Sequence, residues 1–147
     1  MMRNIKLIAT ALLLVILSGC ASVPMATEAE DAAAKSFSPP PADKAGLYIY
    51  RNSRLGGALK KSVYIDGEVI GETGPNTYFY TLVEPGERKL STESEFGEND
   101  LVLQAEAGKN HYVRQAIKLG VLEGGARLKL MDEETGQDGV RSCKLAQ

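Results

Sequence analysis

From Ala45 onward a turn signal recurs about every 8–12 residues, and that spacing limits more than anything else what the chain can fold into. The clearest signal is Asp66-Gly67, set between Ser62-Val63-Tyr64-Ile65 and Glu68-Val69-Ile70-Gly71. Asp-Gly favours a two-residue type I′ hairpin, whose central residues both need positive φ. In that register Ile65 faces Glu68 and Val63 faces Ile70. Val63, Ile65 and Ile70 then share one face, and Tyr64 and Val69 the other. Pro85-Gly86 predicts a second tight turn, of type II. Further β-rich runs occupy 47–50, 77–83, 88–92, 100–106, 112–119 and 126–131, broken by Gly56-Gly57, Gly108-Lys109-Asn110 and Gly124-Gly125. Strands this short and this evenly spaced predict an all-β domain over 45–147, an antiparallel β-sandwich or small barrel.

The C-terminus departs from the pattern. Asp132 reads as a helix N-cap before Glu133 and Glu134, and Val140 and Cys143 fall three apart on one side. Gly136 and Gly139 each weaken a helix by about 1 kcal/mol relative to Ala. The expectation is a short helix or turn that packs Val140, Cys143 and Leu145 against the sheet.

At the other end, Arg3 and Lys6 precede an almost wholly apolar run from Leu7 to Leu17. Its length suits a secretory leader of about 7–15 apolar residues and falls short of the roughly 20 that span a bilayer as a helix. Leu17-Ser18-Gly19-Cys20 closes the run and resembles a bacterial lipobox. An ordinary signal peptide cut elsewhere and a retained anchor are the competing readings. The resemblance implies a leader over 1–19 and a mature chain starting at Cys20, which carries a diacylglyceryl group and usually a third, amide-linked chain. A single acyl chain binds a bilayer only marginally, so several make the stable anchor. Ala21, where Asp would stand in a retained inner-membrane protein, implies the outer membrane with the domain facing the periplasm.

Residues 20–44 then read as a lipidated N-terminus and a disordered tether, rich in Ala, Ser and Glu and ending in Pro39-Pro40-Pro41. A helix over 29–35 is too short to persist alone. As a flexible coil the tether reaches roughly 25–30 Å. Loss of Arg3 and Lys6 with the leader lowers the formal charge from −2 by two, to −4. That mildly acidic surface argues against nucleic acid or anionic lipid headgroups as a main partner, since both reward clustered Lys and Arg. With Cys20 lipidated, Cys143 is left either buried, like a small hydrophobe, or open to an intermolecular bridge.

Val63-Tyr64-Ile65-Asp66-Gly67, then Val69-Ile70-Gly71-Glu72-Thr73, then Pro85-Gly86-Glu87-Arg88-Lys89-Leu90 resembles the PEGA-type β-domain pattern. The stretch from Ala45 through Gly108-Lys109-Asn110-His111-Tyr112-Val113 to Leu145 is similar to an uncharacterised family of Gram-negative lipoproteins, a domain of unknown function. The resemblance implies a PEGA-like sandwich and an envelope-associated binding module. The eponymous Pro-Glu-Gly-Ala is absent, and Glu84-Pro85-Gly86-Glu87 keeps only the turn.

Reactive constellations are sparse. His111 is the only histidine and shares parity with Val113, Ile117 and Leu119, which predicts a partly buried, hydrogen-bonded ring over a catalytic base. No G-x-S-x-G occurs, and a Cys143–His111 dyad needs the fold to bring the two together. Asp132, Glu134 and Asp138 lack the ligands a calcium loop needs: Gly136 takes the fifth position and Cys143 the twelfth. Glu93, Glu95, Glu98 and Asp100 read as a solvated loop, although spacing alone leaves a glycosidase pair open. No metal or cofactor is expected.

The tyrosines are the best lead. Tyr48 and Tyr50 oppose Leu47 and Ile49, and Tyr64 opposes Val63 and Ile65. An exposed face of Tyr48, Tyr50 and Tyr64, edged by Arg51 and Arg54, would suit an envelope protein, peptide or glycan. The plain alternative is that tyrosine merely suits half-buried strands. The expected function is an outer-membrane lipoprotein with a non-enzymatic binding or structural domain. A small envelope hydrolase and an interaction subunit of an envelope complex are the alternatives. Replacing Cys20→Ser is expected to leave a full-length, unacylated precursor, checked by gel mobility and acyl labelling; normal processing and membrane retention would overturn the anchor.

Overall fold

The computed structural model describes residues 22–94, 99–120, 122 and 124–147. The lipidation expectation at Cys20 and the acidic residues Glu95 and Glu98 therefore lie outside the described residues. Strands β1 (Ala45–Arg51), β4 (Thr77–Val83), β7 (Asn110–Lys118), β8 (Gly125–Met131) and β9 (Lys144–Leu145) form one sheet, in the order β8-β7-β1-β4-β9. Strands β2 (Lys61–Ile65), β3 (Glu68–Thr73), β5 (Gly86–Thr92) and β6 (Asp100–Ala105) form the other, in the order β3-β2-β5-β6. The all-β, sandwich-like expectation holds, with two helices among the described residues: α1 (Glu28–Ala34), inside the expected tether, and α2 (Glu133–Arg141), the short C-terminal helix or turn expected after Asp132. The sheets are not wholly antiparallel, because β1 runs parallel to β7 and β4 parallel to β9.

The Asp66-Gly67 hairpin forms as its turn chemistry requires, with φ of 51° and 86° at the two central residues. Its tip is held to β5, since Asp66 Oδ1 accepts from Lys89 N at 2.9 Å and Asp66 Oδ2 pairs with Arg88 Nη1 at 3.0 Å. Ile65 faces Glu68 as expected, but Val63 faces Gly71 instead of Ile70. A bulge absorbs one residue there, and the Phe79 ring fills the space where a Gly71 side chain would project. Pro85-Gly86 carries the chain from β4 in one sheet to β5 in the other, so this turn joins the two layers and closes no hairpin.

Between the sheets Leu47, Ile49, Val63, Leu90, Leu103 and Val113 form a continuous apolar core. Each such side chain, fully buried, contributes about 1.5–3 kcal/mol. At one end of this core lies a polar layer. Gln115 Nε2 donates to Thr92 Oγ1 at 2.8 Å, Thr92 Oγ1 donates to Ser62 O at 2.7 Å, and Thr73 Oγ1 donates to Gln115 Oε1. A one-residue slip of any of these strands would leave buried polar atoms unpaired, so the layer fixes register.

The outer face of the five-stranded sheet carries a second core of Tyr48, Tyr50, Tyr78, Tyr112, Val140 and Cys143. Helices α1 and α2 cover it. Asp132 caps α2 as expected, accepting from Thr135 N at 2.9 Å, and Val140 and Cys143 are buried. Gly136 and Gly139 have a use that helix propensity does not reveal. A Cβ at Gly136 would lie 2.2 Å from Tyr112 Cβ, and one at Gly139 would lie 2.2 Å from Tyr50 Cε2. Glycine lets the α2 backbone rest directly on the two rings.

The tether expectation is corrected over residues 22–44. Thr27 and Glu30 make a reciprocal capping box at the start of α1. Asp31 in that helix is only 8% exposed. Upstream, Ala26 N donates to Leu145 O and Gln147 N donates to Pro24 O, each at 3.0 Å, flanking a Met25–Ala146 bridge. Val23 is buried against Phe79 and Ala146. The folded unit thus begins near Val23 and not at Ala45. The helix is short, and it persists because tertiary contacts supply what seven residues cannot. Gly139→Ala is expected to lower stability by about 1–3 kcal/mol, because forced overpacking against Tyr50 exceeds the roughly 1 kcal/mol gained in helix propensity. Thermal or urea unfolding measures it; an unchanged or raised midpoint would refute the close contact.

Candidate functional site

The sequence-derived tyrosine face does not exist as a free surface. Period two does set Tyr48 and Tyr50 opposite Leu47 and Ile49, but each ring is only 1% exposed. Cross-strand pairing gathers the rings: Tyr48 faces Tyr80 across β4 and Tyr112 across β7, with the Tyr48 and Tyr112 rings stacked 5.1 Å apart. Burial raises the phenol pKa of both Tyr48 and Tyr78 well above the ordinary range. Tyr64 lies half-buried on the other sheet. Arg51 is fully buried, its guanidinium donating to Leu59 O at 2.7 Å, Gly56 O at 2.9 Å and Leu55 O at 3.1 Å. It anchors the loop after β1 and offers nothing to a ligand. Arg54 is exposed on that loop, apart from the tyrosines. The five residues are dispersed.

The phenol oxygens instead hold the N-terminal segment. Tyr48 OH donates to Ala34 O at 2.8 Å, satisfying a carbonyl of the last turn of α1. Tyr78 OH donates to Asp31 Oδ1 at 2.9 Å, which also accepts from Leu145 N at 3.0 Å. Asp31 Oδ2 pairs with Lys35 Nζ at 2.9 Å, and Lys35 reaches Cys143 O at 2.5 Å. Burial alone would raise the Asp31 carboxyl pKa, but these bonds from Lys35, Tyr78 and Leu145 hold it below its usual value. Sequence reasoning missed this carboxylate, although Thr27-Glu28-Ala29-Glu30 carried a capping-box signal for the helix that presents it.

The open feature next to this layer is a groove of about 540 Å³ between α1, the Pro39-Pro40-Pro41 run and β4. Tyr48, Tyr80, Leu82 and Leu145 form its sheet-side wall, with Glu30 at the rim. Lys144 N donates to Asn76 O and Ala146 N donates to Tyr78 O, so the even-numbered residues of β4 point their carbonyls outward. Pairing with β9 involves only Thr77 and Tyr78. Beyond them the outer edge of β4, carrying Tyr80 and Leu82, runs along the groove without a neighbouring strand among the described residues. Leu82 is 44% exposed there. Such an edge can accept one more extended chain by backbone pairing.

The reactive candidates do not converge. His111 stands opposite Leu47 in the β1–β7 register, on the inter-sheet side. Burial lowers its pKa, and its Nε2 accepts from Glu106 N at 2.9 Å, a bond open only to the neutral ring. Cys143 lies in the outer core, its thiol pushed up to about 11 by burial and its Sγ 3.6 Å from Arg51 O. The two sit on opposite faces of the sheet, so the thiolate dyad does not form. Cys143 is buried, as the reading of a free cysteine as a small hydrophobe expects. Among the described residues, no group of three or more His, Cys, Asp or Glu is placed to hold a metal ion.

A family model described as "Protein of unknown function (DUF2846)" matches residues 41–126. A Haemophilus influenzae protein named only "Uncharacterized protein" is 47% identical over 131 residues, covering 89% of this chain and 78% of its own. No solved structure matches.

Asp31→Ala is expected to cost about 1–3 kcal/mol at neutral pH, because it strands the Tyr78 hydroxyl and the Lys35 ammonium. A carboxyl whose folded pKa is lowered stabilises the fold above its unfolded pKa and loses that effect as pH falls through the folded one. The gap between native protein and variant should therefore be full at neutral pH and close below the ordinary carboxyl range. Urea unfolding across that range checks it; a gap that does not depend on pH would refute the ionic role.

Proposed function

The chain belongs to the DUF2846 family of proteins of unknown function, and we propose that it is a lipid-anchored, periplasm-facing binding module of the outer membrane that captures an extended peptide segment of another envelope protein. The anchor half of this reading rests on Leu17-Ser18-Gly19-Cys20 behind its basic and apolar leader, with Ala21 next. The binding half rests on one observation, the groove that runs along the free half of β4. A peptide lying there would add a strand beside Tyr80 and Leu82, and its alternate side chains would meet the wall of Tyr48 and Leu145 and the Pro39-Pro40-Pro41 run. Backbone pairing supplies affinity in this mode and the pockets for alternate side chains supply selectivity. Stiff proline and tyrosine walls limit the entropy lost on closing around a ligand. The PEGA-like hairpin fits the same role, as a turn device shared with envelope-associated binding domains. Peptide capture also accommodates an interaction subunit of an envelope complex.

A photoreactive amino acid at Leu82 should give a crosslinked adduct in intact cells, identified by mass spectrometry, while the same probe at Val102 on the far edge of the other sheet should not. Leu82→Glu should abolish partner capture yet shift stability by no more than about 0.5 kcal/mol, as an exposed substitution does. Capture that survives Leu82→Glu in a folded protein would overturn the groove as the binding site.

A further inference from the structure

The mature N-terminus, if lipidated as proposed above, has almost no tether. Val23 is buried against Phe79 and Ala146, with Ile70 of β3 packed beside them. The next residues are bound to the sheet edge, where Ala26 N donates to Leu145 O and Pro24 O accepts from Gln147 N. Only three peptide steps separate Cys20 from Val23. Each step spans at most about 3.6 Å, so the acylated residue lies within roughly 11 Å of the Val23 backbone. A unit of this size has a radius of gyration of about 14 Å, larger than that reach. The glyceryl group sits at headgroup level, and a domain leashed this closely has no room to turn another side toward the bilayer.

We propose that the domain rests on the membrane with one defined side, the one where residues 23–26 close the gap between the β9 edge of the first sheet and the β3 edge of the second. Met25 and Val69 are exposed apolar residues on or beside this side, at 44% and 61%. The opposite edges, β8 and β6, point toward the periplasm. The free half of β4, which continues the β9 edge past Tyr78, lies beside the membrane, so a peptide in the proposed groove would run along the bilayer surface. The occupant of this face is the phospholipid surface itself, brought there by the chain length between anchor and fold. This rests on the Cys20 anchor but goes beyond it, because an anchor on a long flexible tether would leave orientation free.

Val69 and Val102 make a matched pair for the test. Both are exposed valines of the four-stranded sheet, one on each edge strand, three strand spacings or about 14 Å apart. Val69 is also distant from Cys20 in sequence, so its depth reports the fold and not the nearby chain. The acylated full-length protein, purified from membranes with a fluorophore on Val69→Cys or on Val102→Cys, would be reconstituted into phosphatidylethanolamine–phosphatidylglycerol vesicles. Cys143 stays unlabelled because it is buried. A lipid-borne quencher should quench the Val69 probe several-fold more than the Val102 probe. A flexible Gly-Ser insert of about 20 residues after Ala21, with a reach of roughly 25 Å, should remove the difference. Equal quenching without the insert overturns the proposal, and so does a difference that persists with it, since the anchor spacing then does not set orientation. Acyl labelling and vesicle flotation of the same samples report the anchor separately, so loss of the lipid reading and loss of the orientation are told apart.

Discussion

The buried carboxylate of Asp31 is the junction on which the outer half of this structure depends. It ties α1 to β4 through Tyr78, to the C-terminal strand through Leu145 N, and to Lys35, which in turn holds Cys143 O. A carboxylate removed from water is costly unless its oxygens are paired, and here both are. The sandwich between the two sheets stands on apolar packing. The layer outside it stands on a few polar contacts set among tyrosines.

Tyrosine suits that layer because it brings a large apolar body and one polar tip. The rings of Tyr78, Tyr80 and Tyr112 lie 4.4–6.3 Å from that of Tyr48, and such pairs contribute about 0.5–1.5 kcal/mol beyond their buried area. The hydroxyls of Tyr48, Tyr78 and Tyr112 meet a carbonyl and side chains of α1 and α2, which an all-apolar face would leave unpaired. The glycines of α2 complete the fit by removing the Cβ atoms that would hold the helix off Tyr50 and Tyr112. Where this cover ends, along β4 beyond Tyr78, the groove opens. The same tyrosine layer therefore builds part of the core and part of the wall that a ligand would meet.

Much of the strand layout was legible. The Asp66-Gly67 turn, the runs at 77–83 and 126–131, the Asp132 cap and the buried Cys143 all follow from local chemistry that acts within a few residues. The candidate site was not. Alternation correctly told which side of β1 Tyr48 and Tyr50 occupy, and it is blind to whether that side faces water. Arg51 followed the same rule and lies inside, its guanidinium spent on loop carbonyls.

What the sequence alone determined was the Asp66-Gly67 turn, the Asp132 cap and the period-two faces, since each is written in neighbouring residues. Tertiary structure alone decided which face became a second core, that residues 23–34 belong to the fold, and where β4 has no neighbouring strand among the described residues. Those outcomes depend on contacts between chain ends more than a hundred positions apart, such as Asp31 with Leu145 and Met25 with Ala146. A short helix and a two-residue strand carry no stability of their own to announce in sequence. They exist because each buries what the other leaves exposed.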